Sequence, residues 1–516
     1  MEVSCHLEAA LHTLHSLPET AYGMGYWIDA LCINQEDVLE KNHQVKRMMN
    51  IYALARAVVV WLGPEMEEDD KAIRAMNTTY RDTSQNNKII TPPSFEENDW
   101  DALYRFMKKP YWTRLWIVQE LAANHNNTLF LCGTKRLTRQ MIKMAADCCN
   151  KLLRDDSRFP LKGQKDIWSI SRRMYCLVDL EVDRSINDTL GKVLGLSRDS
   201  IASDPRDKVY GIRGILPEAI ASQIEPDYSH NITAYEVFTS LTTSIIKSTG
   251  NLNNIIYGAK FSTGWSSWVP DQHLPFPRNH VKYLHQSSAC GNERARFIIL
   301  DQDSTRNPTL CVKGIRVDAI DGIAASPTLE NEPIYPRHTH ERYKGQVANA
   351  IGKALILNHP KVRKNPALLK LPWDIENRIS QSTWSDILSD ENFQKFRQFQ
   401  NINKDFPMSG QPFESYFPAH SQKRNKALGY HLRLAVLSLM GRKLITTTTG
   451  YIGLMPEDVE NGDVIAVILG CDFPVLLRPF GTAYRVVGEC YVHGIMSGEF
   501  FKARVQKEPY QDFDLV

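Results

Sequence analysis

Leu7, Ala10, Leu11 and Leu14 recur at helical spacing and Pro18 closes the run, so the chain is predicted to open on an amphipathic helix. The pattern then changes. Residues 26–29 (YWID) read as a short apolar strand ending in Asp29, followed by a polar turn and a helix over 37–55. Val45, Met48, Met49, Tyr52 and Ala55 form the inner face of that helix. The next apolar run, 58–62 (VVVWL), is predicted as a strand buried on both faces and stopped by Gly63-Pro64. Strand, helix and strand make a βαβ unit. The Asn- and Thr-rich stretch 77–99 reads as a long surface loop. Pro110 is then expected to open a single helix bearing Trp112, Trp116 and Glu120, ahead of a short strand at 128–133 (TLFLCG).

From 140 to 250 the spacing is helical. Within it SDPRDKVYGI (203–212) reads as a helix start, with Asp204 as cap, Pro205 at the first helical position and Asp207 where a capping box places its acid. Arg206 supplies an ion-pair partner. Beyond 251 the pattern turns to strands and turns, clearest at 297–323. It becomes helical and charged over 338–438, then β again, with glycines at 450, 453, 462, 470, 481, 488, 494 and 498 punctuating short strands. The expected fold class is therefore α/β plus β. An α/β domain (1–135) precedes a helical region (136–250) and a discontinuous, small barrel-like β domain (251–325 and 439–505), which a helical insertion (326–438) interrupts. A chain of 516 residues suits several such domains.

Composition narrows the function classes. Lys+Arg 61 against Asp+Glu 59 gives a net charge of +2, so no bulk field favours nucleic acid or an acidic membrane as partner. The longest apolar runs, 57–62 and 464–469, fall far short of the ~20 residues of a spanning helix. The first residues have no secretory-signal pattern, and a cytoplasmic protein is expected. Ten cysteines without a CxxC pair point to buried thiols, with no metal centre.

The chemistry-bearing candidates are few. Trp116 lies one helical turn before Glu120 and shares its face. Asp29, Asn34 and Gln35 follow the carboxyl end of a predicted strand, where open α/β sheets bind ligands. Each also has a structural reading: Glu120 can pair with Arg114, Asp29 and Asn34 suit Asx turns better than catalysis, and Trp112 and Trp116 at helical spacing suit a core better than a ligand platform. Cys32, between Leu31 and Ile33, reads as core. A cysteine hydrolase built on it and His43 has no supporting triad spacing.

WIDALCINQ (27–35), QVKRMMNIYALARAVVVWLG (44–63), RLWIVQE (114–120) and DPRDKVYGI (204–212) resemble the fungal heterokaryon-incompatibility (HET) domain. GYIGLMPEDVENGDVIAVILG (450–470), PVLLRP (474–479) and GECYVHGIMSGE (488–499) resemble the β extension often found behind it. The HET domain in turn resembles TIR domains, so the likeness implies a TIR-like (flavodoxin-like) N-terminal domain. By that likeness Glu120 matches the glutamate that supports cleavage of the nicotinamide–ribose bond of NAD in catalytic TIR domains. Asp29, Asn34, Gln35 and Trp116 would hold the nucleotide, with NAD as substrate and no resident cofactor or metal. The implied function is a non-self recognition effector that triggers programmed cell death. The alternative is a non-catalytic signalling or scaffold module acting through a protein partner or self-association. The family pattern opens with a strand and a Ser-Tyr-x-Trp-Gly loop, and none precedes Leu7. The N-terminal domain is thus expected to be truncated, lacking its first, central strand and leaving ladder groups exposed.

Overall fold

The structure, a computed structural model, describes residues 4–86, 95–155, 164, 166–180, 186–257, 264–274, 287–300, 307–327, 331–359, 368, 390–417, 428–507 and 509–516. It is a mixed α/β molecule with several sheets. Its backbone divides into two compact units, Met1–Leu241 with Gln272–Phe276, and Thr242–Asp271 with Pro277–Val516.

In the first unit the helix Cys5–Ser16 starts where the Ser4 hydroxyl accepts the Leu7 N–H at 3.2 Å, and it buries Ala10 and Leu14. The helix Val38–Leu54 starts in the same way. The Asp37 carboxylate accepts from the Leu39 and Glu40 amides at 2.9 and 3.0 Å, and Val45 and Met48 face inward. Strand β1 (Val58–Trp61) runs parallel to β2 (Thr128–Cys132), which pairs antiparallel with β3 (Lys135–Thr138). Among the described strands β1 and β3 are the edges of this sheet, with β2 between them.

Four expectations are corrected here. Residues 26–28 are extended but join no ladder, and Asp29–Cys32 forms one helical turn. A strand exists only through cross-strand hydrogen bonds, and this segment is held instead by packing. Tyr26 and Ile28 lie against Leu14, Leu17 and Leu131, beside Val59 and Trp61. Second, β1 is not fully buried on both faces: Val58 and Val60 are buried, Val59 and Trp61 half-buried. Third, 77–86 is not a loop but the end of the helix Glu67–Asn86, which buries Ala72, Ile73, Met76, Thr79 and Thr83; positions 87–94 lie outside the described residues. Fourth, the helix expected from Pro110 is broken in two. A 3-10 turn, Pro110–Thr113, and the helix Ile117–Ala123 flank an extended Arg114, which bridges to Ile201.

The second unit is organised by one long strand. β4 (Phe297–Leu300) pairs with β5 (Thr309–Ile323), the longest of the described strands. A small hairpin, β6 (Pro407–Met408) and β7 (Gln411–Pro412), follows the helices Val347–Leu355 and Glu391–Ile402, and the helix Leu428–Leu439 comes next. Then come β8 (Arg442–Thr447), β9 (Ile452–Pro456), β10 (Val464–Ile468), β11 (Val475–Phe480), β12 (Ala483–Glu489), β13 (Tyr491–Val492) and β14 (Gln511–Leu515). The ladder runs β5–β10–β11–β12–β14 and returns to β5, a closed ring with no free edge along it. β8, β9 and β13 extend from the far end of β5, past a bulge between Ile320 and Gly322. Ile315, Ile445, Met455, Ile465, Val467, Leu476 and Val492 fill the core. Much of the expected insertion, 360–367 and 369–389, lies outside the described residues.

Candidate functional site

The helix Ile117–Ala123 is short, and its surroundings hold it at both ends. At its start, Leu115 donates to the Ile201 carbonyl at 3.1 Å and Ile201 donates back to Thr113 at 2.7 Å. Trp112, fully buried, stacks on Phe130 of β2 with ring centres 6.0 Å apart. At its end, the buried Arg139 guanidinium donates to the Leu121 carbonyl at 2.6 Å and the Asn124 amide donates to Ala55 at 2.7 Å. Gln119 donates to the Tyr210 carbonyl at 3.1 Å.

Glu120 is 9% exposed. Burial is the main reason its carboxyl is pushed up to about 7; Arg114 opposes the rise, Asp29 adds to it, and the Tyr111 hydroxyl lowers it slightly. That hydroxyl is itself buried and has no hydrogen-bond partner of good geometry. Tyr52, on the helix Val38–Leu54, is pushed up by burial first and then by the charges of Glu120 and Asp29. Its ring meets Trp27 edge-on at 5.8 Å. A carboxyl, two phenols, a second carboxyl and a guanidinium thus share one electrostatic neighbourhood. A group poised near neutrality there can carry negative charge at pH 8 or a proton at pH 6.

The residues expected around a nucleotide are placed as follows. Asp29 faces Glu120 electrostatically, while its Oδ1 accepts the neighbouring Ala30 amide at 2.8 Å. Trp116, half-buried, is the N-cap residue of the Glu120 helix, and its carbonyl accepts the Glu120 amide at 3.2 Å. Asn34 makes the Asx turn its residue type suits, Oδ1 accepting from Glu36 at 3.1 Å, and Gln35 is exposed. No described contact joins Asn34 or Gln35 to Glu120. Cys32 is exposed, which corrects its assignment to the core: the single turn at 29–32 buries Ile33 and turns the thiol outward. Six other cysteines, Cys132, Cys148, Cys149, Cys290, Cys471 and Cys490, are buried as expected. Among the described residues no cluster of three or more His, Cys, Asp or Glu could hold a metal ion. No helix of the described residues is long and apolar enough to cross a membrane. An open cavity of about 390 Å³ lined by Leu11, His12, Leu14, His15, Thr20 and Tyr26 contains none of the expected site residues.

Tyr111, and Tyr52, which was read only as part of a buried helix face, are the neighbours of Glu120 that sequence reasoning missed. Asp207 does not act in a capping box. Its helix, Asp207–Tyr210, is one turn long, and the carboxylate is buried where it accepts the Tyr228 hydroxyl. Asp204 makes an Asx turn to the Arg206 amide at 2.9 Å and pairs with the Arg206 guanidinium at 2.8 Å. Tyr111 precedes the noticed Trp112, and only its burial beside Glu120 distinguishes it.

Residues 1–120 match the family model of the heterokaryon incompatibility protein (HET), and residues 409–516 match that of the Het-6 beta-barrel domain. The chain is 23% identical over 576 residues to Heterokaryon incompatibility protein 6, OR allele, of Neurospora crassa, an alignment that covers 94% of this chain and 82% of that protein. No solved structure matches.

Proposed function

This chain belongs to the fungal HET-domain proteins, and from that premise we propose that it acts in heterokaryon incompatibility as a cytoplasmic non-self recognition effector. Its first unit is TIR-like and cleaves the nicotinamide–ribose bond of NAD, with cell death as the outcome. The observation that carries this reading is the Glu120 carboxyl, pushed up to about 7 by burial and aligned with Trp116 one turn earlier. Breaking an N-glycosidic bond develops an oxocarbenium-like ribose, which an adjacent carboxylate stabilises or holds through its hydroxyls. In this reading Asp29, Trp116, Asn34 and Gln35 hold the nucleotide, a role supported for Asp29 by its electrostatic influence on Glu120. NAD is substrate here and no resident cofactor is required.

The test is nicotinamide release from NAD by the purified chain. Wild type releases it, Glu120→Ala reduces the rate at least about 100-fold, and kcat/KM climbs as pH rises through about 7, because the acting form is the carboxylate. Equal, slow NAD loss by both proteins would sink the catalytic reading. A second reading, a non-catalytic module acting through a protein partner or self-association, is favoured by one observation: Glu120 is only 9% exposed.

A further inference from the structure

The bend from which the Glu120 helix starts is held by two cations that the proposed reaction does not use. The helix Ile186–Arg198 ends beside that bend, and its last carbonyls lack partners inside the helix. Arg173, half-buried on the helix Ile167–Val178, donates Nη1 to the Leu196 carbonyl at 3.0 Å and Nη2 to the Ser200 hydroxyl at 2.9 Å. The Lys208 ammonium donates to the Ser197 and Arg198 carbonyls at 3.0 Å and to that of Ser200. Both positive charges also meet the negative end of the helix dipole. Ile201, the next residue, is the one whose backbone bonds Thr113 and Leu115. Arg173 grips the other side of the bend as well. Its Nε donates to the Trp112 carbonyl at 2.6 Å and its Nη2 reaches that of Arg114 at 3.5 Å. The Leu115 carbonyl then accepts the Val118 amide at 3.0 Å, and the Trp116 carbonyl accepts that of Glu120. One planar side chain thus joins the end of one helix to the residues immediately before the first hydrogen bonds of the other.

We propose that Arg173 is a positioning residue for Glu120: its guanidinium fixes the bend between Trp112 and Leu115, and with it the direction in which the helix Ile117–Ala123 leaves, so that the Glu120 carboxyl stays out of water. This rests on reading Glu120 as the acting group. The role belongs to the fork geometry of the guanidinium, and its charge alone does not supply it. A seven-residue helix has too few hydrogen bonds of its own to set its start, so the start is set by what precedes it. Lys208 steadies the opposite segment, 197–200, from which Ile201 reaches across.

Two measurements on the full chain test this without needing turnover. Urea unfolding of each protein and of its Glu120→Gln counterpart between pH 4 and 9 gives a stability difference that grows with pH and levels off at the folded pKa of Glu120. Asp29, Arg114, Tyr111 and Tyr52 face that carboxyl and stay unchanged throughout. In the Arg173→Met background the levelling point falls from about 7 by about one pH unit or more, as water reaches the carboxyl. Amide exchange at 115–123 quickens about tenfold or more beyond that of β2 in the same protein. Arg173→Lys does the same, because one ammonium cannot meet the Trp112 and Leu196 carbonyls together. Met76→Ala, which opens a cavity under the helix Glu67–Asn86, lowers stability and moves neither reading. An unmoved levelling point in the Met background, or exchange that quickens there no more than at β2, overturns the proposal. So does a shift of equal size in Met76→Ala, or full rescue by lysine, which would assign the effect to charge. If Arg173→Met does not fold, Arg173→Lys and Ser200→Ala, which removes the acceptor for Nη2, carry the same contrast. Nicotinamide release measured on the same preparations separates the two readings. A moved levelling point with no release by wild type leaves positioning intact and removes cleavage; release with an unmoved levelling point does the reverse.

Discussion

A carboxyl at position 120 is ionised in the unfolded chain at neutral pH and only half ionised in the folded one, so folding and titration are linked there. Because the folded pKa is the higher of the two, the stability is fully present below the unfolded carboxyl value near ~4.3. It is lost as pH rises through about 7. The shift corresponds to roughly 3–4 kcal/mol between those limits. Glu120→Gln keeps the size and removes the ionisation, so it is expected to melt above wild type at pH 8 and level with it at pH 4.5. Thermal melts at the two pH values check this. Lys208 shows a different solution to burial: its ammonium, 4% exposed, donates to the Ser197 and Arg198 carbonyls at 3.0 Å and to that of Ser200, so the charge is met by carbonyl dipoles. Both groups lie in or beside motifs visible in the sequence. Neither burial was legible there, because each is made by packing that the local pattern does not specify.

Elements were legible to the extent that their causes are local. The apolar run at 58–61 and the strand at 128–132 depend on side-chain patterning, and both emerged from the sequence, whereas the caps at Ser4 and Asp37 did not. The helix Glu67–Asn86 was missed because Thr79 and Thr83 read as polar, although with Ala72, Ile73 and Met76 they complete a buried stripe at helical spacing. The helix expected from Pro110 was read as continuous because nothing near Arg114 announces a bridge to Ile201, 87 positions later. One close approach tests how tightly this unit is assembled. A Cβ on Gly214 would meet the Met49 side chain at 2.4 Å and the Gln119 carboxamide oxygen at 2.5 Å. Gly214→Ala is therefore expected to cost about 1–3 kcal/mol in urea unfolding. It should also slacken the Gln119 tie to Tyr210, seen as faster amide exchange at 117–123.

At the scale of the whole molecule, the barrel-like second unit was readable from its glycine punctuation, but the closure of its ring was not, since closure depends on register. Arg442, on β8, and Glu489, at the end of β12, tie that unit across the fold: the guanidinium donates to the Glu489 carboxylate and, at 3.1 Å, to its carbonyl, with both residues buried. Arg442→Met strands a buried carboxylate and is expected to cost about 3–5 kcal/mol. Arg442→Met with Glu489→Leu removes both charges and should recover most of that loss, which a double-mutant cycle by urea unfolding measures.

The ring also has a history during synthesis. β5 must pair with β14 on one side and β10 on the other, yet its last residue, Ile323, is separated from Gln511 by roughly 190 residues. At a translation rate of about 5–20 residues per second, a long strand emerges from the ribosome and waits on the order of 10–40 s for the partner that covers its second edge. During that interval β5 presents an unpaired edge open to mispairing, and the nascent polypeptide is the form in which chaperone engagement is expected.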